Sequence, residues 1–461
     1  MSTDKPVAFR GVWRTDPAAR GVYAEAAGIA QAIPAAVAVP ADADDVVSLV
    51  TWAQRTRTAL IPRGSGSSMA GGAIGNGVVV DLGRLVTRAP VVDERRRSTM
   101  VLPGTVRDTV DAAARTVGLR FPVDPSSGAF CTVGGMAGTN AAGARTLAYG
   151  PMRAWVTALD CIFDDGSRAI VRRGEIPPDV PAVRRFLADP HFGPGDPTGA
   201  PFPAPAVRKN SSGYSLADYA RTGELLDLLV GSEGTLAIFV GVELALAPMP
   251  AATSSLLAAF DSLERAVDGA AVARKSAASA CELLDRTFLD VTHGVHGLAI
   301  PEGTESLLMI ELEATDRPRA TAAAAALERE ILAAGATWTE LGLDEDSEAE
   351  LWKVRHAASP ILARLDPSLK SMQFIEDGCV PPAKLPDYVR GVRAALDAHE
   401  TRGVIFGHAG DAHVHVNPLV DVSREGWRER MESLLGDVVA LTARLGGTLS
   451  GEHGDGRLRA A

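Results

Sequence analysis

Several common functional signatures are missing from this 461-residue chain. Its four cysteines, Cys131, Cys161, Cys281 and Cys379, lie far apart and form no Cys-x-x-Cys pair. That argues against an iron–sulfur cluster within the chain and predicts reduced core thiols in a cytoplasmic protein. No run approaches the roughly 18 apolar residues of a membrane span. Met1–Lys5 lacks the basic-then-apolar order of a secretory leader. Basic charge is also in short supply, with 46 Lys and Arg against 57 Asp and Glu, a net charge of −11. Nucleic acid and polybasic membrane binding are therefore not expected. Phosphate-loop signatures are absent as well. The glycine-rich stretch Pro62–Gly75 has no Gly-Lys-Ser/Thr for a Walker A loop, and Gly64-Ser65-Gly66 lacks the third glycine of a dinucleotide fingerprint.

What is present has the character of a globular protein of two or three domains: 46% hydrophobic and 22% charged residues over a length too great for one core. The Pro62–Gly75 stretch sits between short apolar runs at 59–61 and 78–82 that read as strands. Read alone, it is either a flexible connection or a concave anion cradle of backbone N–H groups. Ala36–Pro40 reads as a strand, and Asp42 or Asp44 can N-cap a helix running to about Arg55. A strand at 99–102 and a helix at 107–117 follow. Two further small-residue segments, Thr132–Gly143 and Gly231–Thr235, are expected as loops, the latter leading into a strand at 236–246. The runs 154–163 and 168–172 predict a hairpin. Residues 190–205 form a Pro- and Gly-rich loop.

Pro248-Met249-Pro250 marks a change of texture. Beyond it, Ala-rich helices (262–278, 318–334, 385–399) alternate with strands (306–313, 403–407, 413–418), which predicts an α+β domain with an antiparallel sheet. The expected division is 1–248, 249–425, and a segment 426–461 returning toward the first domain.

Near the C-terminus, Gly407–Asn417 carries His408, His413 and His415. On a strand His413 and His415 share one face, and His408 reaches that face across a turn at Gly410-Asp411. Neutral imidazoles so placed suit zinc, and Gly451-Glu452-His453 can add a carboxylate and a fourth imidazole.

Taken together, Arg63–Gly72, Gly134–Gly143, Gly231–Leu236, Gly407–Pro418 and Gly451–Gly456 closely resemble, in order, the flavin-dependent D-2-hydroxy-acid dehydrogenases of the vanillyl-alcohol-oxidase type. That family includes D-lactate dehydrogenases, glycolate oxidase subunits and D-2-hydroxyglutarate dehydrogenases. The resemblance spans about Tyr23 to Arg459 and is nearest to the flavin half of the long iron–sulfur-containing members. It implies an α+β fold: a two-part FAD-binding (PCMH-type) domain and a cap domain over the flavin ring.

By that resemblance FAD is held by Arg63, Gly64, Ser65, Gly66, Ser67, Ser68, Gly72, Pro125, Gly134, Gly135, Thr139, Asn140, Gly143, Glu233 and Gly234. Serines follow Gly66 where some relatives carry a flavin-linked histidine, so the FAD is expected to be non-covalent. His408, His415 and Glu452 would bind a divalent metal, with zinc favoured. His453, of near-neutral pKa, would be the general base, and Arg355 and Asn417 would contact substrate. His413 would be an extra ligand or a packed neighbour. A lysine found in some members two residues before Asp377 is replaced by Ile375, which leaves the choice of hydroxy acid open.

The implied partners are a small 2-hydroxy acid and a non-oxygen electron acceptor: an iron–sulfur subunit or domain, a quinone or an electron-transfer protein. A homodimer and a peripheral membrane location stay open. Family members continue past Ala461, so weak FAD binding or dependence on a partner is a further expectation. Three other readings compete: a zinc hydrolase with no chromophore, a non-redox flavin enzyme of the alkyl-ether-lipid synthase kind, and an inactive or partner-dependent subunit. The hairpin lacks the tyrosine of the second kind.

Overall fold

The structure, a computed structural model, describes residues 4–189, 204–292, 299–356 and 368–459. Most of the Pro/Gly-rich segment 190–205 therefore lies outside the described residues.

The N-terminal part builds two sheets. In the first, the order is Val12–Arg14, Ala36–Val39, Val78–Asp81, Leu60–Arg63. Its last three strands are parallel, as the strand–helix–strand order at 36–63 requires. Asp42 is the N-cap of the helix Ala43–Thr56, its side chain accepting from the Asp45 N–H. Val46, Leu49, Val50 and Ala53 are buried from that helix against the sheet.

The second sheet is antiparallel throughout: Val92–Asp93, Ser98–Val101, Ala237–Ala245, Val156–Phe163, Arg168–Arg172. Ile162, Ile238 and Val240 of this sheet pack into the core of the first. The two sheets thus share one apolar seam.

The small-residue segment at 132–143, expected as a loop, contains a short helix, Val133–Thr139. Glycines disfavour helix by about 1 kcal/mol each. Burial of Val133, Met136 and Ala137 on the second sheet overrides that preference.

Beyond Pro248 an eight-stranded antiparallel sheet forms. Its main order is Trp338–Gly342, Ala252–Phe260, Ser306–Ala314, Ala280–Asp285, Arg402–Gly407, His413–Asp421, Leu369–Ser371, with Gly378–Cys379 also paired to His413–Asp421. Helices Leu263–Lys275, Arg317–Ala333, Leu385–Ala398 and Trp427–Arg444 cover one face. The last of these belongs to the segment expected to return to the first domain. Instead Met431, Leu434 and Val438 pack beneath the sheet. The crossing comes after it: the Ser211 N–H donates to Ser450 O, and Arg457 Nε donates to Ile74 O.

Period-two alternation along Ser306–Ala314 divides its side chains. Leu308, Ile310 and Leu312 enter the helix-covered core, and Leu307 and Met309 the opposite cluster. Glu311 and Glu313, in phase with Leu307 and Met309, reach Arg145 and Arg120 of the N-terminal part. No helix among the described residues is long and apolar enough to cross a membrane.

Candidate active site

A cavity of about 1040 Å³ lies between the two parts, at the upper end of the roughly 300–1,000 Å³ usual for ligand pockets. Its floor is Pro62–Met69, Gly72, Pro125, Gly134, Gly135, Thr139, Gly143, Glu233 and Gly234. Gly66 has φ +78°, a left-handed conformation suited to glycine. Ser68 Oγ is buried in this wall without a hydrogen-bond partner among the described residues. An orphaned hydroxyl beside glycine backbone suits a phosphate-bearing cofactor.

Every predicted cofactor residue lines the cavity except Asn140. Asn140 ends the short helix in a left-handed turn (φ 52°), and its Oδ1 accepts from the Arg153 N–H at 2.9 Å. Its amide oxygen is thus engaged with backbone behind the wall. Glu233 faces the C-terminal crossing, accepting from the Asp455 and Gly456 N–H groups at 2.8 and 3.0 Å.

The opposite wall is made by Arg355, Gln373, Glu376, Phe406, His408, His415, Asn417, Glu452 and His453. A short 3-10 turn at Ala409–Asp411 and a left-handed Ala412 (φ 55°) fold the histidine hairpin back on itself. Nε2 of His408 and Nε2 of His415 both face Glu452 Oε1, at 3.3 and 3.4 Å. Bonds of about 2.0–2.1 Å to a tetrahedral ion put neighbouring donors about 3.3–3.4 Å apart. Both imidazole–carboxylate pairs therefore have the spacing of such a site, and one ligand atom from each of the three residues lies within 4.8 Å of the others.

The remaining ring nitrogens are already engaged. His408 Nδ1 meets Glu282 Oε1 at 2.6 Å, and His415 Nδ1 meets the Glu376 carbonyl at 2.8 Å. Carboxylate and carbonyl partners at Nδ1 leave Nε2 for a metal, the arrangement that orients metal-bound histidines. Burial opposes a charged His408, but Glu282 outweighs it and raises the imidazole to about 9.

His413 sits deeper and does not line the cavity. Its Nε2 bonds Asp377 Oδ1 at 2.8 Å, and its Nδ1 stands 3.9 Å from Glu452 Oε2. Burial pushes it down to about 3, so it stays neutral. Its ring rests on Gly451, where any Cβ would come within 2.7 Å.

His453 stacks on His415, with ring centroids 5.3 Å apart and planes at 11°. Glu376 Oε1 takes its Nδ1 at 3.0 Å, and Nε2 faces Glu452 Oε1 at 3.6 Å. Glu376 is held in turn by Arg459. The expectation of a near-neutral pKa is corrected here. Burial disfavours the charge, yet Asp377, Glu376 and Glu452 prevail and lift His453 to about 9. A cation beside Glu452 acts against that rise.

Arg355 borders the cavity over Phe406, and its Nε donates to the buried Glu282 at 2.7 Å. Asn417 Oδ1 is buried without a partner among the described residues.

Four participants escaped the sequence reading. Glu282, Glu376, Arg459 and Lys209 lie far along the chain from the histidines they serve, or carry no spacing signal. Lys209 Nζ bonds Glu452 Oε2 at 3.0 Å.

Comparison with known proteins gives the family. A family model described as "FAD linked oxidases, C-terminal domain" matches residues 249–461, and one described as "FAD binding domain" matches 34–171. The chain is 30% identical over 428 residues to the D-lactate dehydrogenase of Archaeoglobus fulgidus, covering 92% of this chain and 83% of that protein. It is 28% identical over 437 residues to the glycolate oxidase subunit GlcD of Bacillus subtilis, covering 93% and 82%. The D-2-hydroxyglutarate dehydrogenase of Escherichia coli is 28% identical over 486 residues, and there the match takes in 97% of this chain but 47% of that protein. This chain thus spans about half of that longer relative.

Among solved structures, 4-ethylphenol oxidase from Gulosibacter chungangensis superimposes with a TM-score of 0.68 at 14% identity, covering 96% of this chain and 86% of that one. An alkyldihydroxyacetonephosphate synthase gives 0.66 at 15%, covering 95% and 78%. Together with the match to the FAD binding domain, these two likenesses show the fold, that of the vanillyl-alcohol-oxidase type.

Proposed function

The chain belongs to the FAD-linked oxidases that include D-lactate and D-2-hydroxyglutarate dehydrogenases, and on that premise we propose that it oxidises a small D-2-hydroxy acid to the 2-oxo acid with a divalent metal at His408, His415 and Glu452. The observation that carries this reading is the meeting of two imidazole Nε2 atoms on Glu452 Oε1, in the wall facing the small-residue floor. FAD, held non-covalently, occupies that floor. Zinc suits the two-nitrogen, one-oxygen donor set.

When bound, the flavin supplies a two-electron acceptor, and the metal supplies Lewis acidity that makes a hydroxyl a stronger acid. The protein's part is to hold and to deprotonate. Arg355 borders the cavity as a cation for the substrate carboxylate, with Glu282 fixing its orientation through Nε. Asn417 presents its amide to the bound acid. With a cation beside Glu452 offsetting the carboxylates that raise it, His453, oriented by Glu376 through Nδ1, would offer Nε2 to the hydroxyl proton. The hydroxyl proton would go to His453, and a bound flavin would supply the acceptor for the Cα hydrogen with its electron pair. The acceptor for those electrons would be a subunit or an electron carrier other than oxygen.

A panel of D-lactate, glycolate, D-2-hydroxyglutarate and D-malate, read by bleaching of the flavin band under anaerobic conditions with and without a chelator, tests the proposal. Bleaching by at least one acid, lost on chelation and restored by zinc, is expected. A colourless protein would favour the hydrolase reading, and chelator-insensitive bleaching would remove the metal.

A further inference from the structure

Lys209 is a buried lysine with no solvent exposure of its side chain. Burying an ammonium is costly unless it is paired and hydrogen-bonded, and an apolar side chain at this position would avoid that cost. Its partners come from three separate parts of the fold. They are Glu452 Oε2 at 3.0 Å, Gly143 O at 3.2 Å and Asp411 Oδ2 at 3.7 Å. Gly143 belongs to the cavity floor, Asp411 to the tip of the histidine hairpin, and Glu452 to the crossing segment. No arginine and no other lysine pairs with Glu452 among the described residues.

The two oxygens of Glu452 therefore have different neighbours. Oε1 faces the Nε2 atoms of His408, His415 and His453, and Oε2 is occupied by Lys209. An unrestrained carboxylate can give a cation one oxygen or both. We propose that Lys209 is a positioning residue that reserves Glu452 Oε2, so that Glu452 offers a divalent cation one oxygen only. Its second effect follows from charge. Paired with Lys209, the carboxylate carries little net charge, and a cation held there by two neutral imidazoles keeps most of its own. That favours acidification of a hydroxyl over tight retention of the metal. The contact with Gly143 O also ties the ligand to the floor of the cofactor cavity.

This inference rests on the metal reading above, and its test separates the two. The FAD-loaded protein is stripped of metal and given Co²⁺, whose visible bands weaken as ligands are added beyond four. Wild type and Lys209→Met are compared, with cobalt affinity measured by chelator competition. Lys209→Met is expected to show a weaker, displaced cobalt band and to hold cobalt about tenfold more tightly. A wild-type cobalt band reproduced unchanged by Lys209→Met, at equal affinity, overturns the role of Lys209 and leaves the metal reading standing. No cobalt binding by wild type overturns both. Should Lys209→Met fail to fold, a crystal structure of the zinc-loaded wild type decides. Oε1 alone at ligand distance with Lys209 still on Oε2 supports the inference, and Oε2 at ligand distance overturns it.

Discussion

His453 carries the sharpest demand of any residue in the site. It must hold a proton-accepting nitrogen toward substrate while three carboxylates surround it. Replacing it by alanine leaves the FAD floor and the three donors untouched. His453→Ala is expected to bind FAD and metal normally and to slow flavin reduction by about 10²–10⁴-fold, the usual worth of a general base. Unchanged bleaching would take His453 out of the mechanism. Asp285 makes a second prediction away from the site. It is fully buried, caps the helix Arg286–Val291, and burial raises it from 3.8 to about 7. Between those values the folded protein keeps a proton that the unfolded chain releases. Stability should therefore fall as pH rises through that window, by roughly 1.4 kcal/mol per unit. Asp285→Asn lacks this titration, so its stability relative to wild type should grow from pH 4 to 7 and level off above. Equal denaturant midpoints at every pH would refute this.

At the level of elements, the strand Ser306–Ala314 joins the two parts. Its Glu311 takes both Arg145 Nε and a terminal nitrogen, at 2.8 and 2.6 Å, and a hydroxyl from Ser279 at 2.8 Å. Its Glu313 receives Arg120 and Tyr149. Removing one partner of a buried pair costs about 3–5 kcal/mol. Arg145 is partly exposed and keeps Asp124, so Glu311→Ala should cost about 2–3 kcal/mol, read as a lower urea midpoint. No change would mean the strand does not bind the parts together. These elements also mark what could be read in advance. Strand 36–39, the Asp42 cap, the 156–172 hairpin and the Ala-rich helices announce themselves through local periodicity and capping chemistry. The helix Val133–Thr139 does not, because three-dimensional burial defeats its glycine content. The helix Trp427–Arg444 falls inside the expected returning segment, since nothing local tells which sheet an amphipathic face will cover.

For the whole molecule, the site exists only where three stretches meet. The floor comes from the N-terminal sheets, the histidine hairpin from the eight-stranded sheet, and Glu452 and His453 from the crossing that follows the last helix. The histidine cluster and the Glu-His pair are visible in sequence as clustered residue types. Their supports are not: Glu282 is 126 positions from His408, and Lys209 is 243 from Glu452. Contacts at such separation leave no periodic trace. One measurement tests the central claim directly: anomalous diffraction at the zinc edge from crystals of the FAD- and zinc-loaded protein. A single peak is expected about 2.0–2.2 Å from His408 Nε2, His415 Nε2 and Glu452 Oε1, on the side of the cavity facing the flavin. A flavin-loaded protein that oxidises its hydroxy acid with no peak among these three atoms would contradict it.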